Sequence, residues 1–135
     1  MTLFPDLMFN ETTARTSETQ MLSGNGTTAG TYAPKYAGRL KKIWVLVTPQ
    51  AATSLCQAGY VKLKQADWKP NEIIFPFNGF GLATAPQAIG GNELINEYQV
   101  DLPVATDKPI DSLLFENDSP VTPRIRVIGW FESSG

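Results

Sequence analysis

The chain has 135 residues, 42% hydrophobic and 18% charged, a balance that suits one globular domain able to bury roughly two thirds of its unfolded surface. Eleven Lys and Arg against 13 Asp and Glu give a net charge of -2, so no basic field draws phosphate backbones and direct nucleic-acid binding is not expected. Histidine is absent, which removes the usual general base, the Ser/His and Cys/His nucleophile pairs and the commonest transition-metal ligand, so the chain reads as a non-enzyme.

The first nine residues, MTLFPDLMF, concentrate Leu3, Phe4, Leu7, Met8 and Phe9. Their spacing suits one short helical turn after Pro5, with Leu7 and Met8 facing the same way as Phe4. A terminus this apolar is expected to dock on its own domain, on a neighbouring subunit or on a lipid surface. The segment has neither a positively charged start nor a continuous apolar run, so it does not read as a secretory signal, and no stretch approaches the ~20 apolar residues that span a bilayer. Residues 10–38 are dominated by Thr, Ser, Asn and Gly and have little apolar area to bury, which predicts an extended arm over residues 1–38.

Strong β-character begins with RLKKIWVLVT, residues 39–48. Ile43, Val45 and Val47 fall on one parity and Leu40, Trp44 and Leu46 on the other, the pattern of a strand covered on both faces. Thr48, Pro49 and Gly59 then have the order of an N-cap, a first helical position and a stop, predicting a short helix. GYVKLKQ alternates, with Val61 and Leu63 inward and Lys62 and Lys64 outward. EIIFPFNGFGL contains Pro76, which forbids one ladder hydrogen bond and places the strand at a sheet edge or ends it in a bulge. ATAPQAIGGN is loop chemistry. NEYQVDLPV carries Tyr98, Val100, Leu102 and Val104 on one face, opposite Glu97, Gln99 and Asp101. PIDSLLFEN is a further strand, and RIRVIGWFE is the last, with Ile125, Val127 and Phe131 toward the core.

The outward face of that last strand holds Arg124, Arg126, Ile128, Trp130 and Glu132. Ile128 and Trp130 are apolar where water is expected, so something should cover them: first the leader, then a neighbouring subunit. Six or so strands without crossover helices predict an all-β fold, an antiparallel β-sandwich of jelly-roll type over residues 39–135 behind the N-terminal arm. The jelly roll is preferred because its first and last core strands pair in the middle of one sheet.

Motifs for chemistry are weak. Cys56 stands alone, so no intrachain disulfide forms and the redox compartment is undetermined. The glycines around residues 78–91 have no phosphate-loop spacing and read as loop glycines. Asp101, Asp107, Asp111, Glu116 and Asp118 cluster late, at no spacing diagnostic of a glycosidase pair or a calcium loop, and read as solvated turns. The N-x-[ST] triplets at Asn10, Asn25 and Asn117 read as chance products of a Thr/Ser-rich chain. Tyr60, Trp68, Phe80 and Tyr98 could in principle form a sugar-stacking platform, although scattered aromatics in a sandwich are more often core. No metal or cofactor is expected.

The strand RLKKIWVLVTPQ, the GYVKLKQ that follows, and the ending PIDSLLFENDSPVTPRIRVIGWFE resemble, in architecture, single jelly-roll capsid proteins of icosahedral viruses. The likeness covers most of residues 36–132. It implies a structural virion protein that self-assembles into a shell and meets copies of itself and other virion proteins. The arm departs from relatives that package RNA directly, since its only cations are Arg15 and Lys35 against Asp6, Glu11 and Glu18. Its expected roles are therefore linking subunits or touching an inner membrane through Leu3, Phe4, Leu7, Met8 and Phe9. Ile128, Trp130 and the loop tips from Gly79 to Asn92 complete the expected interface. The alternative is a carbohydrate- or receptor-binding sandwich, such as a lectin or a spike or fibre head.

Overall fold

From Arg124 to Glu132 side chains alternate between half-buried and buried, the signature of a strand with one face on a core, and the same period governs most of the chain. The computed structural model describes residues 2–12, 17–48, 56–80, 94–117 and 124–133. They form eight strands: β1 Phe4–Glu11, β2 Thr19–Gln20, β3 Gly38–Thr48, β4 Cys56–Lys64, β5 Glu72–Phe80, β6 Leu94–Val104, β7 Asp111–Asn117 and β8 Arg124–Ser133.

Strand pairing follows a simple rule. β1 pairs with β8, β2 with β7, β3 with β6 and β4 with β5, all antiparallel, so the chain runs as one long ribbon whose two halves are zipped together. Two further ladders, β3 with β8 and β4 with β7, roll the ribbon into a pair of four-stranded sheets. Sheet A has the order β1-β8-β3-β6 and sheet B the order β2-β7-β4-β5. The molecule is thus an all-β antiparallel sandwich, and its first strong strand, β3, pairs with its last, β8, in the middle of sheet A.

The core lies between the sheets. Leu40, Ile43, Val45 and Val47 of β3 and Ile125, Val127 and Phe131 of β8 share it with Val61 and Leu63 of β4, Phe75 and Phe77 of β5 and Leu114 of β7. Trp68, 1% exposed, is held by its indole N–H, which donates to the Pro103 carbonyl at 2.9 Å. Gly59 sits within β4 because a Cβ there would come 2.3 Å from the Phe115 carbonyl oxygen and 2.6 Å from the Phe77 ring. It is therefore a close-approach residue and not a helix stop; the rest of the expected helix, residues 49–55, lies outside the described residues. Pro76 does lie on an edge strand, the position in a sheet that tolerates a residue without an N–H.

The leader is where expectation and structure part. The helical turn expected after Pro5 is strand β1, which runs in register with β8 from Phe4 opposite Phe131 to Glu11 opposite Ile125. A bulge between Leu7 and Phe9 turns Met8 and Phe9 both inward, where they are 1% and 0% exposed. In the sequence that bulge breaks the period-two pattern and imitates helical spacing.

Beyond it, β2 joins sheet B, Met21 is fully buried and Tyr32 exchanges two backbone hydrogen bonds with Ile110 at 2.8 Å. The turn between is organised by Asn25, whose Oδ1 accepts the N–H groups of Thr27 and Thr28 at 2.9 and 3.2 Å, and by Gly26 at φ 73°. Residues expected as an arm thus supply strands to both sheets, and the sandwich begins at β1 and not at residue 39.

A part-buried polar contact fastens this edge. The Tyr32 hydroxyl donates to Asp6, which also lies 3.6 Å from Lys35, and the Tyr32 ring stacks on Phe131 at 5.8 Å. Burial first, and the Asp6 bond second, push the Tyr32 hydroxyl above the ordinary tyrosine range. Because the folded-state value is raised, this contribution is complete below pH ~10 and is lost as pH rises beyond it.

Two outcomes follow for the leader. Phe9→Ala should cost about 3 to 5 kcal/mol in urea unfolding, as core truncations do, whereas Leu7→Ala at the partly exposed neighbouring site should cost far less. Tyr32→Phe should lower stability at neutral pH by about 1 to 2 kcal/mol. It should also flatten the alkaline loss of thermal midpoint seen in the parent chain.

Candidate interaction face

Sheet A turns its second side outward, and the ladder registers show what that side carries. In one row Leu7 of β1 lies beside Ile128 of β8, Ile128 beside Trp44 of β3, and Trp44 beside Glu97 of β6. In the next row toward the β8 C-terminus Pro5 neighbours Trp130 and Trp130 neighbours Lys42; in the row on the other side Arg126 neighbours Leu46 and Leu46 neighbours Ile95. An apolar band therefore crosses all four strands. Leu7 is 37% and Ile95 56% exposed, while Leu46, outward in register, is covered to 4% by its neighbours.

Two indoles form the centre of the band. Trp44 and Trp130 meet edge to face, with ring centroids 4.9 Å apart at 63°, and the Lys42 ammonium lies 5.6 Å from the Trp130 ring centre. Trp44 is oriented by its N–H, which donates to Glu97 at 2.7 Å, and Lys42 stands 3.7 Å from the same carboxylate. Trp130 has no such anchor. Its indole nitrogen is buried with no hydrogen-bond partner among the described residues, and the same holds for Nε of Arg124 and Oε2 of Glu132 at the two ends of β8. A buried polar atom left unpaired costs about 1 to 3 kcal/mol, and because these atoms are already closed to solvent that cost falls on the fold itself.

The rim of the face is ionic. Arg39 donates to Asp101 at 2.8 Å and Lys41 lies 3.3 Å away, and these two cations, Arg39 foremost, hold the Asp101 carboxyl below its usual range.

The outer face of sheet B differs. Tyr60 and Phe115 pack at 5.5 Å, Ile74 is 55% exposed, and Lys62 bridges Glu18 at 3.1 Å and Glu72 at 3.7 Å. The Tyr60 hydroxyl donates to Glu18, which lowers the Glu18 pKa, with Lys62 adding to the effect, and raises that of Tyr60.

The expected interface residues separate into two groups. Ile128, Trp130 and Leu7 come together on the outer face of sheet A. Met8 and Phe9 are inside the chain's own core, and Phe4 packs on Phe131 at 6.0 Å and Tyr36 at 5.5 Å, so these residues are occupied at home; Leu3, half-buried, precedes the strand. Strand β1 of the leader lies beside Ile128 and Trp130 in the plane of the sheet, so this strand widens their face. Of the loop from Gly79 to Asn92, residues 81–92 lie outside the described residues.

The other candidates do not converge. Trp68 is core, Tyr98 packs on Phe75 at 5.4 Å, and only Tyr60 of the proposed sugar platform faces outward; the Phe80 side chain is outside the described residues. Asp101 sits on sheet A, whereas Asp111 and Glu116 lie on β7 of sheet B, and Asp118 is outside the described residues. Among the described residues no group of three or more His, Cys, Asp or Glu could hold a metal ion, and no helix is long and apolar enough to cross a membrane.

Sheet edges are guarded. β2 has two residues, β5 carries Pro76, β1 carries Pro5 and a bulge, and the longer edge β6 displays Glu97 and Asp101. Edge-to-edge pairing is therefore disfavoured. No protein-family model matches the chain, and no curated protein matches it.

The indole pair gives a direct check on this geometry. A double-mutant cycle on Trp44→Ala and Trp130→Ala should return a coupling of about 0.5 to 1.5 kcal/mol in urea unfolding, the range of edge-to-face aromatic pairs. Simple additivity would mean that the rings do not touch.

Proposed function

We propose that the chain is a structural subunit that self-assembles into a closed protein shell of the virus-capsid kind, on a jelly-roll sandwich. Support for the jelly roll comes from the strand order: a ribbon pairing 1 with 8, 2 with 7, 3 with 6 and 4 with 5, rolled into two sheets, is the path of two interlocked Greek keys. The observation that carries the assembly reading is the outer face of sheet A, where an apolar band crosses the strands and leaves Leu7 and Ile95 exposed. A solitary subunit gains nothing from exposed apolar area, whereas a second protein surface would cover it. The partners are copies of the chain and, in a virion, other shell components; the place of action is the virion.

Membrane contact through the N-terminus has less support, because Met8 and Phe9 are already buried. The competing reading, a glycan- or receptor-binding module, draws on the Tyr60 and Phe115 pair beside the Glu18, Lys62 and Glu72 network.

Because β1 belongs to the sheet, truncating the leader would disturb folding, so point substitutions test assembly. The purified chain should form discrete oligomers or particles in light scattering and negative-stain electron microscopy. The double substitution Leu7→Lys with Ile95→Lys should abolish them while leaving the β-sheet circular dichroism intact. A parent chain that stays monomeric at high concentration across salt conditions, and that binds a glycan array as a monomer, would transfer the assignment to the binding module.

A further inference from the structure

The outward residues of β8 read Arg124, Arg126, Ile128, Trp130, Glu132, and this series is complementary to its own reversal. Turned end for end about Ile128, it sets Arg124 against Glu132, Arg126 against Trp130 and Ile128 against itself. Each match is favourable in kind: an ion pair, a cation over an indole and an apolar contact. A two-fold contact demands such a relation, because residue i meets j wherever j meets i. We infer that the outer face of sheet A docks on the same face of a second copy. The two-fold axis lies in the interface and runs across the strands, so that β8 of one copy stacks antiparallel over β8 of the other. This rests on the self-assembly reading and specifies one contact within it.

Two observations converge on this occupant. Charge is distributed to match, with both arginines of β8 at its start and its glutamate at its end. The area is also sufficient. Four strands at ~4.8 Å spacing and nine residues at ~3.3 Å give a footprint of roughly 19 by 30 Å per copy, so two copies bury on the order of 1,000 Å², the lower bound for a specific contact. Stacked sheets stand ~10 Å apart, within the combined reach of opposed Arg, Glu and Trp side chains.

The twist of packed sheets confines the strict registry to the central strands. Glu97 on edge strand β6 is not left facing its own copy as a bare charge, because Lys42 and the Trp44 N–H already engage it.

The test is a charge swap read by sedimentation velocity and light scattering. Arg124→Glu alone and Glu132→Arg alone should each weaken self-association by at least about tenfold through like-charge contact, and the double variant should return to within a few-fold of the parent. Independently, Ile128→Cys in a Cys56→Ser background should be captured as a covalent dimer by a short thiol-reactive bridge. Singles that associate like the parent, or a double variant that does not recover, would overturn this contact while leaving shell formation standing, since the parent still assembles. A parent chain that never self-associates would remove both.

Discussion

The ladder that holds β8 between β1 and β3 is the constraint on which the sandwich depends. β8 is hydrogen-bonded along both sides, and its inward residues Ile125, Val127 and Phe131 are at most 3% exposed. Its position joins the two ends of the chain, because β1 is the first strand and β8 the last. Gly129, at the middle of β8, shows how tight that union is: a Cβ there would lie 2.7 Å from the Met8 sulfur and 2.8 Å from the Phe131 ring. The sheet closes only when the far ends of the sequence have met, which places this chain among slow, high-contact-order topologies.

The same constraint produces the surface. A strand central to a sheet and buried on one side shows only its other side, and on β8 that side is a mixture of Arg, Ile, Trp and Glu. Tyr32 and Asp6 lock β1 in place beside it, so Leu7 is held next to Ile128 by the same contacts that complete the core. Folding and the exposed apolar band are consequences of one register, and a slip of one residue would exchange them.

Much of this was legible in the residues. The alternation of β4, β6 and β8, the edge position signalled by Pro76 and the central pairing of β3 with β8 all follow from parity and proline chemistry. β1 was not legible as a strand, because its bulge places Met8 and Phe9 on one side and breaks the period that marks strands elsewhere. β2 is two residues long and its neighbours are held mainly by backbone bonds, which leave no side-chain pattern to read. Gly59 looks like a stop signal until the Phe115 carbonyl is seen against its Cα. At the face, Ile128 and Trp130 were visible from parity alone, whereas Trp44 was visible only as standing on the parity opposite Ile43, Val45 and Val47 in a strand expected to be covered on both faces. Ile95 and Leu7 were not, since only the register carries them into the same band. The unpaired atoms on Arg124, Trp130 and Glu132 depend on packing, which no sequence pattern reports.

Guarded edges and an exposed apolar face would together limit the kind of assembly open to such a subunit. Sheets that join edge to edge continue without limit and end in fibres, and here each edge is short, proline-bearing, bulged or charged. A two-fold face contact closes after two copies, so it cannot by itself enclose a volume. A shell built on such pairs needs another surface to link them. The outer face of sheet B is the other broad surface among the described residues, with Ile74 exposed beside the Lys62, Glu18 and Glu72 network. If the sheet A face pairs copies and the sheet B face links those pairs, the two contacts draw on opposite sides of the sandwich, and substitutions on one side would separate the formation of pairs from their linkage into a shell.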